Sequence, residues 1–356
     1  MSRPRPKFFF AVVAGMALIG AATELGSDAF RGRTATVRDS AWIWAPGIAQ
    51  QVEPVAFLAV RDFRLEEMPR EARLTVTADE EYIAFVNGTR VGGGSFRQDA
   101  PAQSYEVVNF LKLAGNRLTF ELRSSRGAGG LAVRLDLTDA EGLESSAVVT
   151  DDEWQIYRQA DPKILHGGFL SPGEPAAVWG RAPTGRWRPS AAEPRPIPGF
   201  EVPPLPRRRA ARVMVPEDGT WHSLDRFKNT FPALGERVVL DWGEEVHGYL
   251  MLDLARLDGL PGYVYFGNEP PHERSPPADA FVLPVPGRKY WQDAHARSFR
   301  YAWLVGVALH RVPEILPVAE NEVAQLGPPP PGRSGPFGVE PPRADALAEE
   351  QIRQRY

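Results

Sequence analysis

The sequence predicts an all-β protein of two consecutive antiparallel β-sandwiches of jelly-roll type, with an N-terminal apolar helix and a short C-terminal helix at the two ends. Three observations predict it. Apolar and polar residues alternate with period two in Leu74-Thr75-Val76-Thr77-Ala78, Leu118-Thr119-Phe120-Glu121-Leu122-Arg123 and Leu131-Ala132-Val133-Arg134-Leu135-Asp136-Leu137. Such alternation places apolar groups on one face of a strand and polar groups on the other. No stretch between about 38 and 190 sustains a helical period, and the 35 prolines cluster in joints and tails instead of strands. At 356 residues the chain exceeds one ordinary core, so length favours two domains.

The chain opens with Arg3, Arg5 and Lys7 ahead of an apolar run from Phe8 to Ala22 that includes Phe9, Phe10, Val12, Val13, Met16, Leu18 and Ile19. Basic flank, apolar run and the small residues Gly20-Ala21-Ala22 have the layout of a secretory signal. As a helix the run spans about 22 Å against about 30 Å of hydrocarbon, and extending it to Leu25 brings in Glu24. Residues 1–30 are therefore expected to be a signal peptide or a short membrane anchor. Either reading exports the chain beyond about residue 30, because the positive flank stays in the cytoplasm. The expected location is the periplasmic side of a bacterial cytoplasmic membrane, peripheral or N-terminally anchored.

Trp42-Ile43-Trp44 begins the first folded unit, and Phe57 to Leu65 continues it with strand-forming residues. After the alternating strand 74–78 comes Tyr82 to Val86, then Asn87-Gly88, the strongest short hairpin signal, and Arg90-Val91 with the return strand. Ala114-Gly115-Asn116 and the segment from Arg126 to Gly130 are the later turns. Three glycines, Gly92 to Gly94, lack the flanking helix and lysine of a phosphate loop, so they read as turn flexibility.

Trp42-Ile43-Trp44, Phe63-Arg64, the run from Ala72 to Tyr82, Val86-Asn87-Gly88, Tyr105-Glu106-Val107, the run from Leu111 to Asn116 and Thr150-Asp151-Asp152-Glu153-Trp154 occur in that order. In that order they resemble the N-terminal β-sandwich of the bacterial α-L-rhamnosidase family. The resemblance implies a galactose-binding-like sandwich over 38–190. A proline-rich linker is expected over 191–210, where Arg207-Arg208-Arg209 reads as a solvated basic run. The second unit, 211–312, carries Asp241-Trp242-Gly243, the run from Tyr263 to Glu269, Asp279 to Leu283 and Ser298 to Gly306, which are similar to the next sandwich of the same family. In that family the sandwiches precede a helical barrel bearing the catalytic carboxylates. Here Pro328 to Pro331 lead into a proline-rich tail, 313–356, with one helix-prone segment from Arg343 to Tyr356, so the barrel is expected to be lacking.

Several classes of function lose support from composition. A net charge of -4 gives no long-range attraction for nucleic acid. The absence of cysteine excludes disulfides, thiolate zinc sites and cysteine nucleophiles. The six histidines show no HExxH or comparable ligand spacing, and neither a GxSxG elbow nor a GxxxxGK[ST] loop occurs. Glu80-Glu81, Asp151-Asp152 and Glu244-Glu245 are adjacent pairs, and neighbouring strand residues face opposite ways, so they read as turn carboxylates that solubilise edges.

The expected function is a non-catalytic, exported structural or docking subunit of a membrane-associated protein complex, with a respiratory or photosynthetic reaction-centre complex as one conceivable setting. The partners would be membrane-complex subunits, and lipid at the N-terminus if it is uncleaved. The alternative is a carbohydrate-binding protein acting beside a separate glycoside hydrolase, with Tyr82, Trp154 and Trp179 as apolar platforms and Asp79, Asn87 and Arg90 as polar contacts. Trp42, Trp44 and Trp242 read as core residues. No cofactor is expected; sandwich modules of this kind often hold structural calcium, for which the sequence nominates no ligand set.

Overall fold

A computed structural model describes residues 37–318, apart from 38, 49–52, 96–100, 167, 169, 183–195, 199–205, 218, 228–229, 233, 236, 256–260 and 271–277. The expected N-terminal helix and the anchor residues from Phe8 to Ile19 lie outside the described residues, as does the C-terminal helix. Among the described residues, no helix is long and apolar enough to cross a membrane. The strands form three sheets, and the single α-helix among the described residues is the short turn Pro162–His166.

The first sheet runs Ala177–Arg181, Ala41–Trp44, Gly130–Thr138, Glu71–Asp79, Gln103–Glu106 and Pro196–Pro198, with Glu144–Val149 beside Gly130–Thr138. The second runs Glu174–Pro175, Gln155–Tyr157, Val55–Leu65, Ala114–Ser124, Glu81–Val86 and Thr89–Ser95. Pairing is antiparallel except at Pro196–Pro198, a short parallel edge inside the segment expected to be linker. An edge is where proline is tolerated, since its missing N–H breaks no ladder.

The alternating strands send Leu74, Val76, Leu118, Phe120, Leu122, Leu131, Val133 and Leu135 into one core shared by these two sheets. Trp44 of the first sheet stands edge-on to Phe57 of the second, with ring centroids 4.8 Å apart. Each buried Leu or Phe contributes roughly 1.5–3 kcal/mol, so this interleaved layer, more than strand propensity, holds the two sheets together. Trp42, Trp44 and Trp242 are all buried.

The third sheet has nine strands among the described residues and is built on the long strand Arg237–Asp253. Its first half pairs with Arg212–Met214 and Arg297–Val305, and its second half with Glu314–Pro317 and Tyr290–Gln292. Between them lies a bulge from Asp241 to Val246, where Gly243 takes φ +84° and its N–H donates to Asp241 Oδ1 at 2.7 Å. The bend brings Val238 and Leu240 of one half, and Leu250 and Leu252 of the other, into a single core with Trp291, Phe299 and Ile315. Asp241-Trp242-Gly243 is thus the corner on which one sheet folds over itself. Arg208–Arg209 pairs with Glu314 and Ile315 in this sheet, so its strands extend beyond 211–312 at both ends.

Candidate functional site

Tyr82 to Val86 is apolar on both faces, and a strand without polar alternation needs cover on both sides. The structure supplies it. Tyr82, Ala84 and Val86 point into the core shared by the first two sheets, while Ile83 and Phe85 pack against Ala294 and Leu165. The hairpin turns through Asn87 at φ +50° and Gly88 at φ +84°, with Val86 opposite Thr89, the two-residue loop that an Asn-Gly pair favours. Asn87 Nδ2 donates to Phe110 O at 2.8 Å and Asn116 Oδ1 at 2.9 Å, and its Oδ1 accepts from the Arg117 N–H at 3.0 Å.

A bulge after Ala84 lets the return strand place Val91 in the core and Arg90 on the opposite face. Two glycines make the return strand thin enough for both neighbours. A Cβ on Gly92 would stand 2.3 Å from the Tyr105 ring, and one on Gly93 would stand 2.7 Å from the Ala294 carbonyl oxygen. The hairpin is therefore the surface on which the third sheet docks.

The joint is polar at its centre and apolar around it. Arg90 donates to the carbonyls of Asp293 and Ala294, both at 3.1 Å, and its guanidinium lies 3.8 Å from the centroid of the Tyr249 ring. Arg123 Nε donates to Glu121 Oε1 at 3.0 Å, its Nη1 donates to Gln292 O at 2.8 Å, and the head lies over Trp291. Arg288 pairs with the other oxygen of Glu121, and Arg297 with Asp293 at 2.6 Å. Leu283 and Val285 close one side against Ala56, Leu58, Val60 and Ile164.

Glu81 stands in this layer, and burial, only partly offset by Arg123, pushes its carboxyl up to about 8. Its Oε2 accepts no hydrogen bond, with Arg123 Nη1 3.8 Å away. Burial would also raise Glu121, but Arg123 and Arg288 outweigh it and hold that carboxyl below the ordinary range. Glu80 accepts from the Ser125 N–H and hydroxyl.

These positions correct the expected sugar site. Tyr82 is a core residue whose hydroxyl is hydrogen-bonded to Gln103 and Tyr105. Trp154 is 0% exposed, tilted against Phe120, and its Nε1 donates to Val149 O at 2.8 Å. Neither ring has a free face for a sugar. Asn87 is committed to the turn and Arg90 to the joint, while Asp79 ends a strand of the other sheet, half-buried. Glu80-Glu81 is a correction as well: both residues are buried, at the start of a strand that is covered on both faces.

A second feature was not nominated from the sequence. On the face of the third sheet opposite its core, Trp221, Met214, Val239, Trp303 and Tyr265 are in register across five strands. The Arg212 guanidinium lies 5.1 Å from the Trp221 ring centroid and that of Arg300 lies 4.9 Å from that of Tyr301. Between the arginines Asp241 is fully buried; burial would raise it, but hydrogen bonds from Arg300, Gly243 and Arg212 hold it below the usual aspartate range. Trp303 Nε1 has no hydrogen-bond partner among the described residues. The in-phase spacing of Trp221, Tyr263, Tyr265, Tyr301 and Trp303 along short strands was the available signal.

Elsewhere, a groove of about 330 Å³ on the first sheet is lined by Glu71, Arg73, Glu106, Asp136, Thr138 and Glu144 among others. Among the described residues, no group of three or more His, Asp or Glu is arranged to hold a metal ion.

No protein-family model matches the chain, and no curated protein does. Among solved structures it is similar to an α-L-rhamnosidase from Aspergillus terreus, at 17% identity and a TM-score of 0.47 over 78% of this chain and 36% of that one. The α-L-rhamnosidase of Streptomyces avermitilis complexed with L-rhamnose is similar at 17% identity and 0.45, covering 74% of this chain and 28% of that one. A lectin from Pleurotus ostreatus in complex with GalNAc is similar at 15% identity and 0.38, covering 79% and 73%. The chain spans about a third of the length of the rhamnosidases it matches.

Proposed function

We propose that the chain is a non-catalytic structural or docking module, made of two β-sandwich units joined as one block and displayed on the exported side of a membrane as part of a protein complex. The observation that carries this reading is the use of the hairpin's charged groups. Arg90 of the hairpin, with Glu121 and Arg123 of the strand beside it, holds the two units together through Asp293, Arg288 and Gln292. A body stiffened in this way suits a scaffold. The basic and apolar N-terminus would tether it, and no described residue favours a reaction-centre complex over any other assembly. Mild solubilisation of native membranes tests the reading: co-migration with partner subunits is expected, and a protein that runs alone at monomer mass overturns it.

The aromatic row of the third sheet favours a second reading, carbohydrate binding beside a separate hydrolase. Trp221 and Tyr265, the half-exposed aromatics of the row, would stack on the apolar face of a pyranose, and Arg212 and Arg300 would offer the donors they do not give to Asp241. A glycan array and calorimetry, with and without calcium, are expected to give a saturable signal that Trp221→Ala abolishes. No signal in either condition removes this reading.

A further inference from the structure

Among the described residues of the joint, Glu81 is the carboxyl whose charge the surrounding hydrogen bonds do not satisfy. It begins the strand Glu81–Val86, is buried, and leaves Oε2 without a hydrogen bond. Every packed element brings charged or titratable groups toward this layer. Its own strand contributes Tyr82, with Glu80 just before it; the return strand contributes Arg90, and Ala114–Ser124 contributes Glu121 and Arg123. Tyr105 comes from the facing sheet, and Tyr249, Asp279, Arg288, Asp293, His295 and Arg297 come from the third sheet and its loops.

Glu121 and Asp293 are each paired with arginine, whereas Glu81 has only the more distant Arg123, which already serves Glu121 and Gln292. An ionised carboxylate in that position keeps Oε2 buried without a hydrogen bond, and it sits beside two further acids, Asp293 and Glu80. The neutral acid avoids both costs. In an opened joint the same carboxyl meets water and ionises freely.

We propose that the joint is a pH-sensitive latch: Glu81 docks as the neutral acid, so acidification tightens the hold of the third sheet on the hairpin and a rise in pH loosens it. The latch depends on the joint alone and on neither reading of function. The docked carboxyl is raised from 4.5 to about 8, so the effect spans that window. Closure is strongest at its acid end, weakens by up to about tenfold per pH unit across it, and levels off beyond it.

Amide hydrogen exchange on the full chain tests this, with protection of residues 293–297 corrected for the intrinsic pH dependence of exchange. Between about pH 5.5 and about pH 7.5 the wild type is expected to lose up to about a hundredfold in protection, and Glu81→Gln to lose far less. A slope that survives in the variant comes from groups other than Glu81. A slope equal to that of the wild type, or no slope in the wild type, overturns the proposal. Should Glu81→Gln not fold, infrared spectroscopy of the wild type decides: a protonated carboxyl band is expected to persist at neutral pH and disappear in alkali, and its absence at neutral pH overturns the latch.

Discussion

The Arg90 guanidinium lies 3.8 Å from the centroid of the Tyr249 ring while donating to the carbonyls of Asp293 and Ala294, so one side chain of the hairpin engages a strand of the third sheet and the turn between two others. Burial lowers its pKa from the ordinary arginine value, yet it remains a cation in the folded protein. Arg90→Ala removes two charge-assisted hydrogen bonds and the ring contact. The expected loss is about 2–4 kcal/mol. Denaturant unfolding followed by tryptophan fluorescence is expected to change from one transition to two, as the units lose their coupling. A single transition at the wild-type midpoint would show that Arg90 does not hold the joint.

Gly93 tests the same joint from the backbone. A Cβ there would meet the Ala294 carbonyl oxygen at 2.7 Å and the Arg90 Nη2 at 2.9 Å, and the carbonyl cannot move without shifting the docked strand. Gly93→Ala should cost about 1–3 kcal/mol. Gly115→Ala is the control, because nothing lies within 4 Å of its Cβ position and φ is not positive. It is expected to stay within about 1 kcal/mol of the wild type in thermal or denaturant melts.

For Trp154 the prediction is stability without a binding phenotype. It is fully buried, lies against Phe120 at 5.7 Å between ring centroids, and donates to Val149 O. Trp154→Ala should cost about 3–5 kcal/mol, and Trp154→Phe clearly less. If Trp154→Phe keeps its melting temperature but loses a glycan signal seen in the wild type, the buried placement is wrong as a guide to its role.

These residues also show what the sequence could reveal. Leu118, Phe120 and Leu122 were legible as an inward face because their alternation is local, and Asn87-Gly88 because two residues carry the whole turn. Glu121 and Arg123 belong to the same alternating strand and read as solvent-facing. They are 1% exposed, because a unit more than a hundred residues further along covers them. Polar periodicity reports which residues share a face; whether another domain later lies on that face is set by long-range packing. The one local hint was the strand beside them, where Ile83 and Phe85 break the alternation. Asp241 was legible as part of an aspartate-aromatic-glycine stretch, while its two arginines come from Arg212 and Arg300, on different strands that register alone brings together.

Asp241, like Glu121, contributes stability that acid removes. Its carboxyl accepts from Gly243, Arg212 and Arg300 at the corner of the long strand, and these bonds hold its pKa below the ordinary value of 3.8 in spite of burial. A folded-state value depressed in this way contributes stability that is fully present above 3.8 and lost as pH falls through the lower folded value. Glu81 has the opposite sign: its folded-state value is raised, so its contribution is fully present below 4.5 and lost as pH rises to about 8. The two windows do not overlap. Asp241→Asn should therefore flatten the acid limb of the stability profile and leave the neutral limb as it was, whereas Glu81→Gln should do the reverse. Because Arg212 and Arg300 are partly solvated, losing their carboxylate partner is expected to cost about 1–3 kcal/mol near neutral pH, and less below the acid midpoint, where the wild-type carboxyl is itself protonated. Urea unfolding of the wild type and both variants from about pH 3 to about pH 9 measures both limbs together, and an acid limb unchanged in Asp241→Asn would assign acid sensitivity to other carboxylates.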